Sequence, residues 1–184
     1  MKVIVAITGA SGGVYARMCI EQLLAASEVE QVALIVSKTA HEVLRFEGVE
    51  LPTDEKIVSY SNDDMFAAVA SGSARYDAMI VVPASMGSVG RIAAGVSSSL
   101  IERAADVMLK ERRRLIVVVR EAPYSLIHLR NMTTLTEAGA VILPASPSFY
   151  SHPATLHDAA MTVVERIMAH VGVNASHYEW GGEN

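Results

Sequence analysis

Short runs of β-branched and aliphatic residues alternate with helix-length segments along the whole chain, the pattern of a parallel sheet covered by helices on both faces. Strands are expected at Lys2 to Thr8, Gln31 to Ser37, Ala78 to Pro83, Leu115 to Arg120 and Ala140 to Leu143. Each is almost continuously aliphatic rather than alternating, which marks burial on both faces. A shorter strand at Lys56 to Ser59 is expected to feed a helix that starts near Ser61 and Asn62 and stops at Gly72. Further helices are expected over Gly13 to Ala26, Thr39 to Phe46, Ser98 to Arg112, Ser125 to Ala138 and Leu156 to His170. Thr155 with Asp158 has the form of a capping pair, and Gly139 is a natural helix stop. The fold class that follows is α/β: a Rossmann-like, doubly wound parallel sheet with helices on both faces, in a single domain. That domain is expected to span residues 1–170, with a polar C-terminal tail at 171–184 that contains Trp180.

Composition narrows the function classes. With 51% hydrophobic and 19% charged residues the chain is no disordered tail, and its excess of aliphatic side chains predicts apolar faces that one small globule leaves exposed. A homo-oligomer is therefore expected. The formal net charge of −5 gives no general attraction to nucleic acid or to an anionic membrane, so any phosphate must be bound locally. Cys19 is the only cysteine, which excludes an intrachain disulfide, fits a reducing cytoplasmic compartment and suggests a helix-packing residue. The apolar run from Met1 to Thr8 is too short for a signal-peptide core, and the uncharged window between Glu137 and Asp158 is broken by Pro144, Pro147 and Pro153, so no membrane insertion is expected. The six histidines form neither HExxH nor another ligand pair at helical spacing, and no metal site is predicted.

Candidate chemistry gathers where strands end. Thr8-Gly9-Ala10-Ser11-Gly12-Gly13 runs from the first strand straight into a helix, where small residues let backbone N–H groups approach a phosphate. It lacks the G-x-G-x-x-G spacing of a dinucleotide site and the Lys-Ser/Thr ending of a P-loop, so a mononucleotide such as FMN suits it better; a glycine-rich turn without ligand is the competing reading. The same residues spell Gly-x-Ser-x-Gly, the nucleophile elbow of α/β-hydrolases, with His152 and Asp158 as conceivable partners. Only one strand precedes it, Asp158 follows the histidine, and nothing resembles an oxyanion loop, so the hydrolase reading is disfavoured. Val82-Pro83-Ala84-Ser85-Met86-Gly87-Ser88-Val89-Gly90 forms either a shallow crevice for a flat ring or an ordinary strand-to-helix turn. Arg112 to Arg114 reads as a solvated face. Arg120-Glu121, at a strand's carboxyl end, pairs a permanent cation with a possible proton carrier, or is a structural ion pair. Tyr150 ends a rigid proline-containing loop, and Arg166 follows on the last helix.

Taken together these segments resemble the UbiX-type flavin prenyltransferases, within the wider group of homo-oligomeric flavin-containing decarboxylase-like proteins. The resemblance is carried by Thr8 to Gly12, Val36-Ser37-Lys38, Pro83 to Met86, the run Glu102-Arg103-Ala104-Ala105-Asp106-Val107-Met108-Leu109-Lys110-Glu111-Arg112-Arg113, Val119 to Pro123, Asn131-Met132 and Pro147-Ser148-Phe149-Tyr150. Met86-Gly87-Ser88 stands where relatives acting on cysteine-derived carboxylates have a Pro-Ala-Ser-Ala-Asn-Thr type motif, which argues against those activities. The resemblance implies joining the dimethylallyl group of dimethylallyl monophosphate to N5 and C6 of reduced FMN, without a metal, to make the prenylated FMN used by UbiD-type decarboxylases. It implies that Gly9, Ala10, Ser11, Ser37, Ser85, Met86, Gly87, Ser88 and Arg120 hold FMN. It places Tyr150, Arg166, Lys110 and Trp180 on the prenyl phosphate and assigns Ser11, Glu47, Arg103, Lys110 and Glu121 to catalysis or phosphate handling. It also implies a homododecamer with active sites between chains. An FMN-dependent decarboxylase acting directly on a carboxylic acid, and a passive FMN-binding electron carrier, are the alternatives.

Overall fold

Val3, Val5 and Ile7 point to one side of the first strand and Ile4 and Ala6 to the other, and both sets are buried. Such two-sided burial requires helices on each face of the sheet. The computed structural model describes residues 1–173. In it β1 Lys2–Ile7, β2 Gln31–Val36, β3 Ile57–Ser61, β4 Ala78–Ala84, β5 Arg114–Val119 and β6 Val141–Pro144 form one parallel sheet in the order β3-β2-β1-β4-β5-β6. The helices are α1 Gly13–Ala25, α2 Lys38–Glu47, α3 Met86–Ala93, α4 Leu100–Lys110, α5 Leu126–Glu137 and α6 Leu156–Val171. Met18, Ile20 and Leu23 of α1, Leu44 of α2 and Val164 and Ile167 of α6 cover one face. Val89 of α3, Leu100 and Met108 of α4 and Leu135 of α5 cover the other. The doubly wound single domain expected from the hydrophobic pattern is thus present.

The five long strands and five of the helices lie within two residues of their expected ends. Thr155 and Asp158 do form a capping box at the start of α6, and Gly139 follows α5 with φ 101°, a conformation only glycine adopts without strain. Cys19 is fully buried in helix packing, and burial pushes its thiol up, away from reactivity. The packed chain continues through Val171 and Val173, both buried. Trp180 and the rest of the tail from 174 onward lie outside the described residues.

Three expectations change. No helix fills 61–72: β3 runs to Ser61, and the segment then turns, with two short 3₁₀ turns at Ala68–Ala70 and Gly72–Ala74. The Asp64 carboxylate accepts from the Phe66 N–H, and the Asn62 carbonyl and side-chain oxygen accept from the N–H groups of Leu100 and Ile101. Local side-chain bonding and the docking of α4 outcompete helix formation there. Conversely, α3 forms where only a turn or crevice was expected. Gly87 and Gly90 lower its propensity, but Gly90 lies close under Asn131 of α5, and Val89 and Ile92 are buried. Finally, the arginine run is more than a solvated face. Arg113 donates to the Gly72 carbonyl at 2.8 Å, and Arg114 to the Val171 carbonyl at 2.6 Å, satisfying the last turn of α6.

The first turn of α5 exposes apolar side chains, and its later turns expose Arg130, Thr133, Thr134, Thr136 and Glu137. Of its twelve residues only Leu135 is buried, while Leu126, Ile127 and Leu129 are exposed. Among the described residues no helix is long and apolar enough to cross a membrane, and no cluster of His, Cys, Asp and Glu is arranged to hold a metal ion.

Candidate active site

In an open parallel sheet the strands deliver their following loops to one edge, and a crevice opens where chain order reverses. Here that point lies between β1 and β4. The loop after β1 is anchored there by Thr8. Its buried hydroxyl donates to the Pro83 carbonyl at 2.8 Å and accepts from the Ser85 N–H at 2.7 Å, tying the ends of β1 and β4 together. Gly9 is packed so closely that a Cβ on it would meet Thr39 Cγ2 at 2.6 Å. This brings the start of α2 against the loop. Ser37 caps α2 by accepting from the Ala40 N–H, and Ser85 caps α3 by accepting from the Ser88 N–H. From the end of β5, Arg120 reaches back across the edge and donates through Nε to the Ser11 carbonyl at 3.2 Å.

Glu47 completes this arrangement. Its carboxylate oxygens accept from the N–H groups of Gly12 and Gly13 at 2.9 and 2.8 Å, so the N-terminus of α1 is already filled by an anion of the chain itself. The groups left to meet a phosphate are those of the Gly9–Ser11 loop, the start of α2 at Ser37, and Arg120. Burial acts to raise the Glu47 pKa, but hydrogen bonds from the Ser11 hydroxyl, Gly12 and Gly13, with the charge of Arg120, outweigh it and hold the carboxyl below its ordinary value. Because the folded value is the lower one, the stability Glu47 contributes is complete above the ordinary value of 4.5 and is lost as pH falls below that and through the folded value. Melting temperature should therefore drop more steeply on acidification below 4.5 in the wild-type protein than in Glu47→Gln. Parallel profiles in a thermal-denaturation series would rule out this role.

The structure gathers Gly9, Ala10, Ser11, Ser37, Glu47, Ser85, Met86, Gly87, Ser88, Arg120 and Glu121 at the carboxyl edge of the sheet. Arg120 and Glu121 are not paired; Glu121 instead accepts from the Ala122 N–H at 3.0 Å. Tyr150, in the loop after β6, is largely exposed, and Arg166 lines a cavity of about 300 Å³ over β6 with Ser146, Ser148 and Thr162. Two predicted residues do not join them. Lys110 ends α4, four residues before β5 begins, and so lies at the opposite, amino edge, where it pairs with Glu111. Arg103 donates to the Ala70 carbonyl and to Asp106 on the outer side of α4. The hydrolase alternative finds no support: the Ser11 hydroxyl bonds Glu47, and Asp158 caps α6.

Sequence reasoning missed a polar network behind the crevice. Glu102, 3% exposed, accepts from Arg91 and from Ser98 and Ser99, and Arg91 also reaches Ser88. The Ser99-x-x-Glu102 spacing of a capping box was the available signal. Thr8 had no signal beyond its place at a strand end.

A family model described as flavoprotein matches residues 1–174. The flavin prenyltransferase UbiX of Methanocaldococcus jannaschii is 42% identical over 185 residues, covering 98% of this chain and 99% of that one. The chain belongs to the UbiX-type flavin prenyltransferases of the flavoprotein family. Solved UbiX-type structures share its fold throughout. AnUbiX (PadA1), solved in complex with FMN and dimethylallyl pyrophosphate, superimposes with a TM-score of 0.91 at 39% identity, covering 100% of this chain and 98% of that one. A dodecameric FMN-dependent UbiX-like decarboxylase of Escherichia coli O157:H7 gives a TM-score of 0.90 at 37% identity, covering 99% of this chain and 100% of that one.

Proposed function

We propose that this chain is a flavin prenyltransferase that joins the dimethylallyl group of dimethylallyl monophosphate to N5 and C6 of reduced FMN, making the cofactor of UbiD-type decarboxylases. The observation that carries this reading is the whole-chain kinship with AnUbiX, solved with FMN and dimethylallyl pyrophosphate together. The donor set at the carboxyl edge fits the flavin mononucleotide: two helix starts capped by Ser37 and Ser85, a tightly packed glycine loop and one permanent cation, Arg120. When bound, reduced FMN supplies the electron-rich atoms that accept the allyl group. Gly9, Ala10, Ser11, Ser37, Ser85, Met86, Gly87, Ser88 and Arg120 hold it. Tyr150, Arg166 and Lys110 neutralise the prenyl phosphate, whose departure needs several cations or donors around one anion. Ser11 and Glu47 fix the loop, Arg103 braces α4, and Glu121 takes up the proton released on ring closure. The assignment of Trp180 to the prenyl phosphate rests on the resemblance alone.

The domain expected over 1–170, whose packing runs on through Val171 and Val173, carries this chemistry. The exposed apolar residues Leu126, Ile127 and Leu129 at the start of α5 and the dodecameric relative support a homododecamer. The buried thiol of Cys19 suits a reducing cytoplasm.

Anaerobic incubation with reduced FMN and dimethylallyl monophosphate should yield an extracted flavin heavier by one prenyl unit, at a rate chelators do not change. An unchanged flavin mass with consumption of an aromatic acid in the absence of any UbiD-type protein would favour the direct decarboxylase. Neither reaction, with tight FMN binding, would leave the electron carrier.

A further inference from the structure

Arg91, near the end of α3, carries a guanidinium that folds back along the helix. Its Nε pairs with the buried carboxylate of Glu102, whose other oxygen accepts from the Ser98 N–H at 2.9 Å, the Ser98 hydroxyl at 2.6 Å and the Ser99 N–H at 3.0 Å. Held there, Arg91 brings Nη2 to 3.4 Å from the Ser88 hydroxyl and Nη1 to 3.4 Å from the point a Cβ on Gly87 would occupy. Ser88 is 5% exposed, and its hydroxyl lies 3.1 Å from that of Ser85.

Chemistry fixes the direction of the first of these bonds. A guanidinium has donors and no acceptor, so Arg91 donates to Ser88. Of the two directions open to the hydroxyl pair, the one from Ser88 to Ser85 leaves Ser85 Oγ accepting. That oxygen also accepts the Ser88 N–H as the cap of α3. In that direction both lone pairs of Ser85 Oγ are taken from behind, and its proton is free to turn outward, to the carboxyl edge.

We propose that Arg91, anchored on Glu102, is a positioning residue that fixes the Ser85 hydroxyl as a hydrogen-bond donor toward the flavin. The inference rests on the FMN reading above. It gives the Ser98 to Glu102 segment a part in ligand binding although it touches no ligand, and it makes the donor character of Ser85 depend on a cation on the far side of Ser88.

The test is FMN affinity, read from quenching of flavin fluorescence, for the wild-type protein, Arg91→Met, Arg91→Lys, Ser88→Ala, Ser85→Ala and the double variants with Ser85→Ala, each with a thermal melt. Arg91→Met should weaken FMN binding about tenfold, as expected for loss of a charge-assisted bond chain, with partial recovery in Arg91→Lys. Ser88→Ala leaves the Arg91–Glu102 pair intact and should weaken binding by a similar factor without lowering the melt, so the relay is tested even where Arg91→Met folds poorly. In the Ser85→Ala background the loss from Arg91→Met should vanish, because the group it orients is gone. Wild-type affinity in Ser88→Ala, or a loss from Arg91→Met that persists undiminished in the Ser85→Ala background, would overturn the relay and leave Arg91 as a brace between α3 and α4. Failure of the wild-type protein itself to bind FMN would sink the functional reading, and the relay with it.

Discussion

Glu121→Gln is expected to bind FMN normally and to lose turnover by about 10²-fold or more, the usual cost of removing a positioned acid or base. The structure sharpens the argument in two ways. Glu121 lies two residues past the end of β5, at the edge where the candidate flavin-binding residues gather, so its position is set by the strand that precedes it. It is also free of Arg120, which is engaged with the Ser11 carbonyl, and its bond in the chain is from the neighbouring Ala122 N–H. Glutamine preserves that bond and the side-chain shape and removes only the ability to take a proton. Closing a ring at C6 requires a proton to leave, and Glu121, unlike Glu47, is not saturated by N–H groups. Anaerobic single-turnover kinetics, followed by the mass of the extracted flavin, reads the effect. Normal turnover in this variant would reduce Glu121 to a turn residue and shift the base to the released phosphate.

Two inactive proteins should recover activity when mixed. Lys110 sits at the amino edge of the sheet and Glu121 at the carboxyl edge, so one chain does not bring them to one crevice. If both serve the reaction, Lys110 must act in a neighbouring chain's site. Lys110→Ala and Glu121→Gln, each inactive alone, should on dissociation and joint reassembly give about a quarter of the sites both intact groups, for random mixing in a closed symmetric assembly. The same reasoning applies to Arg166→Ala with Glu121→Gln if the cavity over β6 faces another subunit. An assembled but inactive mixture would leave the assembly standing and refute site sharing between Lys110 and Glu121, and an active monomer in sedimentation would remove the need for a partner altogether.

The fold was largely legible because buried parallel strands write themselves as unbroken aliphatic runs, and helix ends as Thr155-x-x-Asp158 or Gly139. It failed where tertiary contacts override local preference. Asn62 looks like a helix start and instead docks α4, and Gly87 and Gly90 argue against a helix that packing on α5 nevertheless stabilises. The candidate site divides the same way. Ser37, Ser85 and Arg120 announce themselves by lying just past strand ends. The grip of Glu47 on Gly12 and Gly13 spans 35 and 34 residues, and that of Thr8 on Ser85 spans 77; no local pattern encodes either. Lys110 shows the further limit: sequence motifs name residues without saying which copy of the chain will use them.

The loop after β1 has one more consequence. Thr8 fastens its root to β4, Glu47 holds its far end on α1, and Arg120 pins the Ser11 carbonyl between them. Freezing a flexible segment at the moment of ligand capture costs conformational entropy, commonly about 1–2 kcal/mol per residue of backbone. Here that ordering is built in by folding, so an incoming mononucleotide meets a shape already set, and the interactions it makes there go into affinity and orientation rather than into arranging its own receptor.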